Sequence, residues 1–259
     1  MMNVFKQLYR SIYSPKDIAS FRLQGMGKTI LYVFLLTLIS ILPTFYFFNN
    51  AITSGIETAK QIASEELPDF TIKNGTLEAE TDKPITVERD GFSITLDPTG
   101  SVDGDELAEN GNAFGFLKNE FALSAGGRTQ SYPYTMLEGS EIAKKDFLDF
   151  FNSMNGVKGV IMPIVFAFIL LVSSAMKFIE ITVLAGIGIM FSNIMRRQLA
   201  FSQLWRMAAY SVTLSTIFFT IMEALQTVVP NGIMINWFVS AIVLYLAINE
   251  TPGTNKEPV

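Results

Sequence analysis

Cysteine and histidine are both missing from the 259 residues. Without cysteine there is no disulfide, no thiolate nucleophile and no cysteine-based zinc site, so any domain outside the cytoplasm must be held by its own core. Without histidine the chain lacks the usual general base and the commonest metal ligand. Most hydrolase designs are thereby excluded. The chain also has no glycine loop for phosphate, no basic stripe suited to nucleic acid and no internal repeat. The expectation is a protein with no enzymatic activity, no cofactor, no bound metal and no nucleic-acid partner.

What the chain has in excess is long uncharged apolar sequence. "TILYVFLLTLISILPTFYFF", residues 29–48, carries no charge and matches the roughly 20 residues needed to cross a hydrocarbon core. A second run, 159–195, contains two charges, Lys177 and Glu180; a third covers 207–229 and a fourth 233–248. Some 28 residues precede the first run, which favours a retained signal anchor over a cleaved signal peptide. The second run is the awkward one. Its roughly 37 residues make a helix of about 55 Å, too long for one crossing and too short for two with a turn. One long helix, bent near Gly186 and Gly188, is preferred here over a re-entrant hairpin.

Charge orients the threading. Lys6, Arg10, Lys16, Arg22 and Lys28 precede the first run against one acid, Asp17, and such a basic excess marks the cytoplasmic side. Residues 51–155 hold 8 basic and 19 acidic side chains, which suits the opposite side. Arg196, Arg197 and Arg206 flank a short loop expected in the cytoplasm, "PNG" at 230–232 makes a tight outer turn, and the two tryptophans, Trp205 and Trp237, fall at the predicted membrane borders. The fold class expected is therefore a membrane α-helical bundle of about four transmembrane helices with an inserted small extracytoplasmic antiparallel β (α+β) domain. Its parts are a cytoplasmic amphipathic segment 1–28, helix 29–48, an acidic outer domain 49–156, a long helix 157–195, a basic loop 196–206, helices 207–229 and 232–249, and a cytoplasmic tail 250–259. Both ends lie inside a multi-pass plasma-membrane protein.

Two further segments have their own pattern. Phe5, Leu8, Tyr9, Ile12 and Tyr13 share one face of a helix, which either lies on the inner leaflet or packs on the protein's own cytoplasmic loop. "SPKD" at 14–17 then supplies Ser14 as a cap and Pro15 as the first residue of a second short helix. In the outer domain, "DFTIKNGTLEAE" and "ITVERDGFSITL" place Asn-Gly and Asp-Gly between alternating segments, and "AFGFLKNEFALSAGGRTQSYPY" adds a third hairpin-like unit, giving a small antiparallel meander. Residues 51–66 and 139–156 read as flanking helices. "SVDGDELAENGN" at 101–112 gathers Asp103, Asp105, Glu106 and Glu109, but the spacing does not fit a calcium loop, so a solvated acidic loop is expected.

The candidate site is an intramembrane polar cluster of Lys177, Glu180, Thr216, Thr220 and Glu223. Lys177 and Glu180 stand at i, i+3, where opposite charges pair. Glu223 shares a stripe with Thr213, Thr216, Thr220 and Thr227. Counted along straight helices from Arg196 and Arg206, Lys177 and Glu223 lie roughly 28 and 26 Å in, at a common depth. Such a cluster either fixes how helices pack or forms a site for a proton, ion or headgroup. No histidine or paired aspartate completes an intramembrane protease.

"MNVFKQLYRSIYSPKDIASFRLQGMGKTILYVF", "ITLDPTG", "KFIEITVLAGIG" and "RRQLAFSQLWRMAAYSVTL" together resemble a family of membrane proteins from Gram-positive bacteria, some labelled maltodextrin-utilisation proteins. The last stretch is also similar to the broader Yip1-like membrane proteins. The resemblance implies a plasma-membrane location, an outer domain between the first two spans and an accessory role in sugar uptake, and it brings no catalytic residues. Direct sugar binding finds little support in the outer domain, which offers Tyr132, Tyr134 and several phenylalanines but no tryptophan. The functional expectation is a non-enzymatic accessory protein whose partners are the bilayer and another membrane or envelope protein, a sugar transporter among the candidates. The alternative is a small ion or solute carrier, or a channel-like protein, using Lys177, Glu180 and Glu223.

Overall fold

The computed structural model describes residues 3–109, 111–137 and 141–253, which divide into two compact units, one of 48–162 and one formed by the chain on either side of it. Four helical stretches are long and apolar enough to cross a membrane: Met26–Glu65, Gly156–Ile194, Phe201–Ala224 and Gly232–Asn249.

The helical unit begins with α1 (Val4–Tyr13) and α2 (Pro15–Phe21). Ser14 ends the first and caps the second, its Oγ accepting the Asp17 N–H at 3.3 Å, with Pro15 at the first helical position. It continues with the first part of α3 (Met26–Glu65), the later part of α5 (Lys144–Ile194), α6 (Phe201–Ser211), α7 (Thr213–Ala224) and α8 (Gly232–Asn249). The stretch open to a re-entrant hairpin is helical throughout, with Pro163 inside it as Pro43 is inside α3, each removing one helical hydrogen bond. Gly188 does not mark a reversal. A Cβ there would lie 3.2 Å from Leu244 Cδ2 and 3.4 Å from Leu204 Cδ2, so its small size lets α5 approach α6 and α8.

Helix boundaries differ from expectation at the third run. The expected loop 196–206 is helical from Phe201, and the expected helix 207–229 stops at Ala224. Gln203 secures the early start by accepting the Ala200 N–H at 3.0 Å. At Val212, between α6 and α7, the Thr213 hydroxyl bonds back to the Tyr210 carbonyl at 2.7 Å, competing with the ladder, although the Thr216 N–H still reaches the Val212 carbonyl at 2.9 Å. The bundle core gathers Tyr32, Leu36, Ile181, Leu204, Met207 and Leu244. By contrast, only 6% of the apolar window of Gly156–Ile194 is buried, so that helix is apolar on an outward surface.

The N-terminal helix does not turn its aromatic residues onto the rest of the protein, one of the two placements the sequence allowed. Gln7 and Ser11 are buried at 2% and 1% exposure, whereas Phe5, Tyr9 and Tyr13 are 64%, 62% and 53% exposed. The predicted single face therefore divides, with Leu8 packed on the bundle and the three aromatic rings outside. Hydrogen bonding explains the choice, because the Gln7 side chain donates to Gln24 Oε1 at 2.8 Å and accepts from the Tyr210 hydroxyl at 3.3 Å.

The second unit contains two sheets. One is three-stranded, with β1 (Phe70–Lys73) between β2 (Thr76–Ala79) and β8 (Ile142–Ala143). The other is five-stranded, ordered β3 (Ile85–Arg89), β4 (Phe92–Leu96), β5 (Asn112–Phe116), β6 (Glu120–Ala125), β7 (Arg128–Pro133). Both two-residue turns, Asn74-Gly75 and Asp90-Gly91, have positive φ at both positions, the conformation that joins strands with native twist. The expected antiparallel meander is corrected in two respects. The first hairpin leaves for its own sheet, and β4 pairs with β5 in parallel.

A parallel pair needs a crossover, and the segment expected to be a solvated loop supplies it. The Asp103 carboxylate accepts the N–H groups of Asp105 and Glu106 at 3.0 and 2.9 Å, opening α4 (Gly104–Glu109), whose Leu107 is fully buried. Gly115 makes room for it: a Cβ there would come within 3.0 Å of Leu107 Cδ2. Asn110 lies outside the described residues, as do Met1, Met2, Glu138, Gly139, Ser140 and the tail from 254. The helix expected over 139–156 begins at Lys144, because Ile142 and Ala143 pair with β1 instead. Its first turns bring Phe147 to 4.6 Å from Phe116, ring centre to ring centre, and Phe151 to 4.5 Å from Phe147. Within this unit Lys158 also donates to Thr53 Oγ1.

Candidate functional site

Lys177 and Glu180 meet on α5, as their i, i+3 spacing allows, with Nζ 2.8 Å from Glu180 Oε2. Two other helices complete the arrangement. Lys177 Nζ donates to Thr216 Oγ1 of α7 at 3.2 Å, and Asn236 Nδ2 of α8 donates to Glu180 Oε1 at 2.7 Å. Both charged side chains are largely covered, at 16% and 13% exposure. The ammonium and both carboxylate oxygens thus have partners, which is what a charge removed from water requires. One chain of four hydrogen-bonding side chains ties three helices together.

Thr220 and Glu223 are placed differently. Thr220 turns its hydroxyl to the Thr216 carbonyl at 2.7 Å, a bond within its own helix. Glu223 is exposed and forms no ion pair among the described residues, so the cluster does not include it as a paired member. The extended threonine stripe separates in the same manner: Thr213 bonds the Tyr32 hydroxyl at 2.5 Å, and Thr227 lies beyond the end of α7. Equal depth along two helices did not bring Glu223 to Lys177, because Thr216, two turns earlier on α7, occupies that position.

Glu223 nevertheless lines the same space. A cavity of about 1090 Å³ is bordered by Lys177, Glu180, Thr216, Thr220 and Glu223 together with Asn236. Ser40 and Thr44 of α3 add hydroxyls to its wall. Its walls can hold a polar or charged group in hydrogen bonds, and the pair at one side carries no net charge. Asn236 was not among the sequence candidates. Its signal was there, a lone amide in "GIMINWFVSA", but one amide in an apolar run has no spacing partner on its own helix.

The basic residues that set the sequence threading also have local partners. Arg206 donates to the Arg22 carbonyl at 2.5 Å, just past the end of α2, and Arg197 to the Asn249 carbonyl at 3.0 Å, the last residue of α8. Cations at helix C-termini satisfy carbonyls left without a helical donor. Trp205 stacks on Phe178 at 6.1 Å and donates its indole N–H to Thr182 Oγ1 at 3.1 Å, while Trp237 borders the cavity.

In the second unit Asp97, the acid of "ITLDPTG", is heavily bonded. Its carboxylate is buried and accepts the Thr99 N–H at 2.9 Å, the Thr99 hydroxyl at 2.6 Å, the Gly100 N–H at 3.1 Å and the Val102 N–H at 2.7 Å. Burial alone pushes its pKa up. The four hydrogen bonds to the charged form outweigh this and leave it below the ordinary value. The residue shapes the turn leading toward α4.

No curated protein and no solved structure matches the chain. Residues 5–248 match the family described as "protein of unknown function (DUF1189)", and the chain belongs to that family.

Proposed function

We propose that the protein is a non-enzymatic accessory protein of the plasma membrane of a Gram-positive cell. It crosses the membrane four times with both ends in the cytoplasm and presents residues 49–156 outside to another membrane or envelope protein. The observation that carries the anchoring role is the closed network of Lys177, Glu180, Thr216 and Asn236, whose charges are already engaged in joining helices. A largely uncovered apolar α5 and an N-terminal helix with Phe5, Tyr9 and Tyr13 outward and Gln7 and Ser11 inward support lipid contact. The maltodextrin label attached to similar proteins makes a sugar transporter the partner to test first.

Protease added to intact protoplasts should cut within 49–156 and spare both ends. Cleavage of the ends alone would reject the orientation. Gentle solubilisation followed by purification should bring down a second membrane protein at a fixed ratio, and isolation of a lone monomer would count against the accessory role.

A carrier is the second reading, favoured by an exposed Glu223 on a cavity of about 1090 Å³. For a carrier, Glu223→Gln abolishes proton or monovalent-cation flux into proteoliposomes while leaving the yield of folded protein unchanged. Equal flux in the variant and the parent rejects a role for this carboxylate.

A further inference from the structure

The unit of residues 48–162 contains an apolar cavity of about 790 Å³. That volume lies in the range of roughly 300–1,000 Å³ typical of small-molecule sites. Eight phenylalanines and five isoleucines form most of its wall. They come from both sheets and from two helices, with Ile72, Ile94, Phe114 and Phe121 on strands, Ile56 on α3 and Phe147 on α5. Protein interiors ordinarily close such space with side chains. Here it stays open, and at Gly55 on the wall an added Cβ would meet nothing within 4 Å.

Two wall residues carry polar side-chain groups. Asp146 is already used, accepting the Ala143 N–H at 2.9 Å at the start of α5. Tyr134 is not. It is 1% exposed, and its hydroxyl has no hydrogen-bond partner among the described residues. Burial, followed by the nearby charge of Glu120, raises its pKa, so it remains a neutral O–H donor at physiological pH. A buried donor without an acceptor is unfavourable, and a ligand oxygen would satisfy it.

We propose that this cavity holds one acyl chain of a membrane phospholipid, with the Tyr134 hydroxyl donating to a ligand ester oxygen. The proposal rests on the reading of the chain as a membrane protein. A sugar does not fit this wall, because its hydroxyls would be buried against phenyl rings with a single donor to meet them. A hydrocarbon chain fits it, and along the sequence the wall begins at Ala51, three residues after the apolar run ending at Phe48, and ends at Met154, five before the run starting at Gly159. Bilayer lipid is thus the source of apolar chains supplied by the segments on both sides of this unit.

The test uses the full-length protein in phosphatidylglycerol vesicles doped with the same lipid bearing a diazirine in one acyl chain, followed by photolysis and peptide mapping. Labelling is expected on β5 and β6, within 112–125, as well as on the apolar runs. Gly55→Trp, which places a ring in open cavity space, should reduce the β5 and β6 labelling at least fivefold and leave labelling at Phe168 unchanged. Tyr134→Phe should reduce it about threefold. Labelling of the runs alone, or equal strand labelling in Gly55→Trp, overturns the proposal. In a second arm a diazirine fatty acid replaces the lipid probe, and strand labelling only in that arm overturns the phospholipid as source. Labelling does not depend on which side of the membrane the unit occupies, so an inverted orientation would appear in the protoplast digestion and not here.

Discussion

Lys177→Met should destabilise the purified protein by about 3 kcal/mol, the cost of leaving one member of a covered ion pair without its counter-charge. Glu180 would keep the Asn236 amide at 2.7 Å but lose the ammonium at 2.8 Å. For a chain of this size each kcal/mol shifts the midpoint by roughly 2–4 °C, so the expected drop is roughly 6–12 °C. It is measured as loss of the monodisperse species after heating in detergent. Glu180→Met should act similarly by stranding the lysine. The double variant Lys177→Met/Glu180→Met should recover most of the loss, because two apolar side chains remove both desolvation terms at once. A double variant as unstable as the sum of its parents would show that the pair is not what joins these helices.

The second large effect is expected at Asp97. Asp97→Ala removes a buried, charged acceptor of four hydrogen bonds, at about 2–3 kcal/mol, since bonds to a charged group are the stronger ones. Amide exchange at Thr99, Gly100 and Val102 should accelerate roughly 30- to 150-fold, as that energy converts at about 1.4 kcal/mol per tenfold. Asp97→Asn should be nearly as damaging. One carboxylate oxygen serves Thr99 and Gly100 while the other serves the Val102 N–H, and an amide would set its own NH₂ against one of these groups.

The pH dependence follows from the same geometry. Since the folded-state pKa lies below the ordinary value of 3.8, the stabilisation is fully present above that value and is lost as the pH falls through the folded one. The parent protein should therefore lose protection at these amides only below about pH 4. The Asn variant should show no acid step there. A protection profile with the same acid step in both would assign it to other carboxylates.

Local chemistry was readable where a few neighbouring residues decide it. Ser14-Pro15, Asn74-Gly75 and Asp90-Gly91 act through their own backbone preferences, and Lys177 with Glu180 share a face by helix period alone. Other features depended on partners far along the chain. The Asp103 cap looked like one acid among several in a solvated loop, because nothing nearby announces that Leu107 will be covered by Ala113, Leu117 and Ala122. The aromatic face of α1 read equally as a lipid face or a packing face, and what decided against packing was Gln7, claimed by the distant Gln24 and Tyr210. At the candidate site, the period placed Glu223 on the stripe of Thr216, but α7 directs Thr216 at Lys177 and leaves Glu223 on the cavity margin.

The sequence by itself determined the four long apolar helical stretches, the missing cysteine and histidine chemistry and the positions of the tight turns. Each is set by composition or by residues within one helical turn or one hairpin. Only the tertiary structure decided the parallel pairing of β4 with β5, the joining of α5 to α7 through Thr216 and to α8 through Asn236, and the open phenylalanine-lined cavity. Those features arise from which distant surfaces bury one another, and a side chain's own sequence neighbours do not specify its partner across a fold.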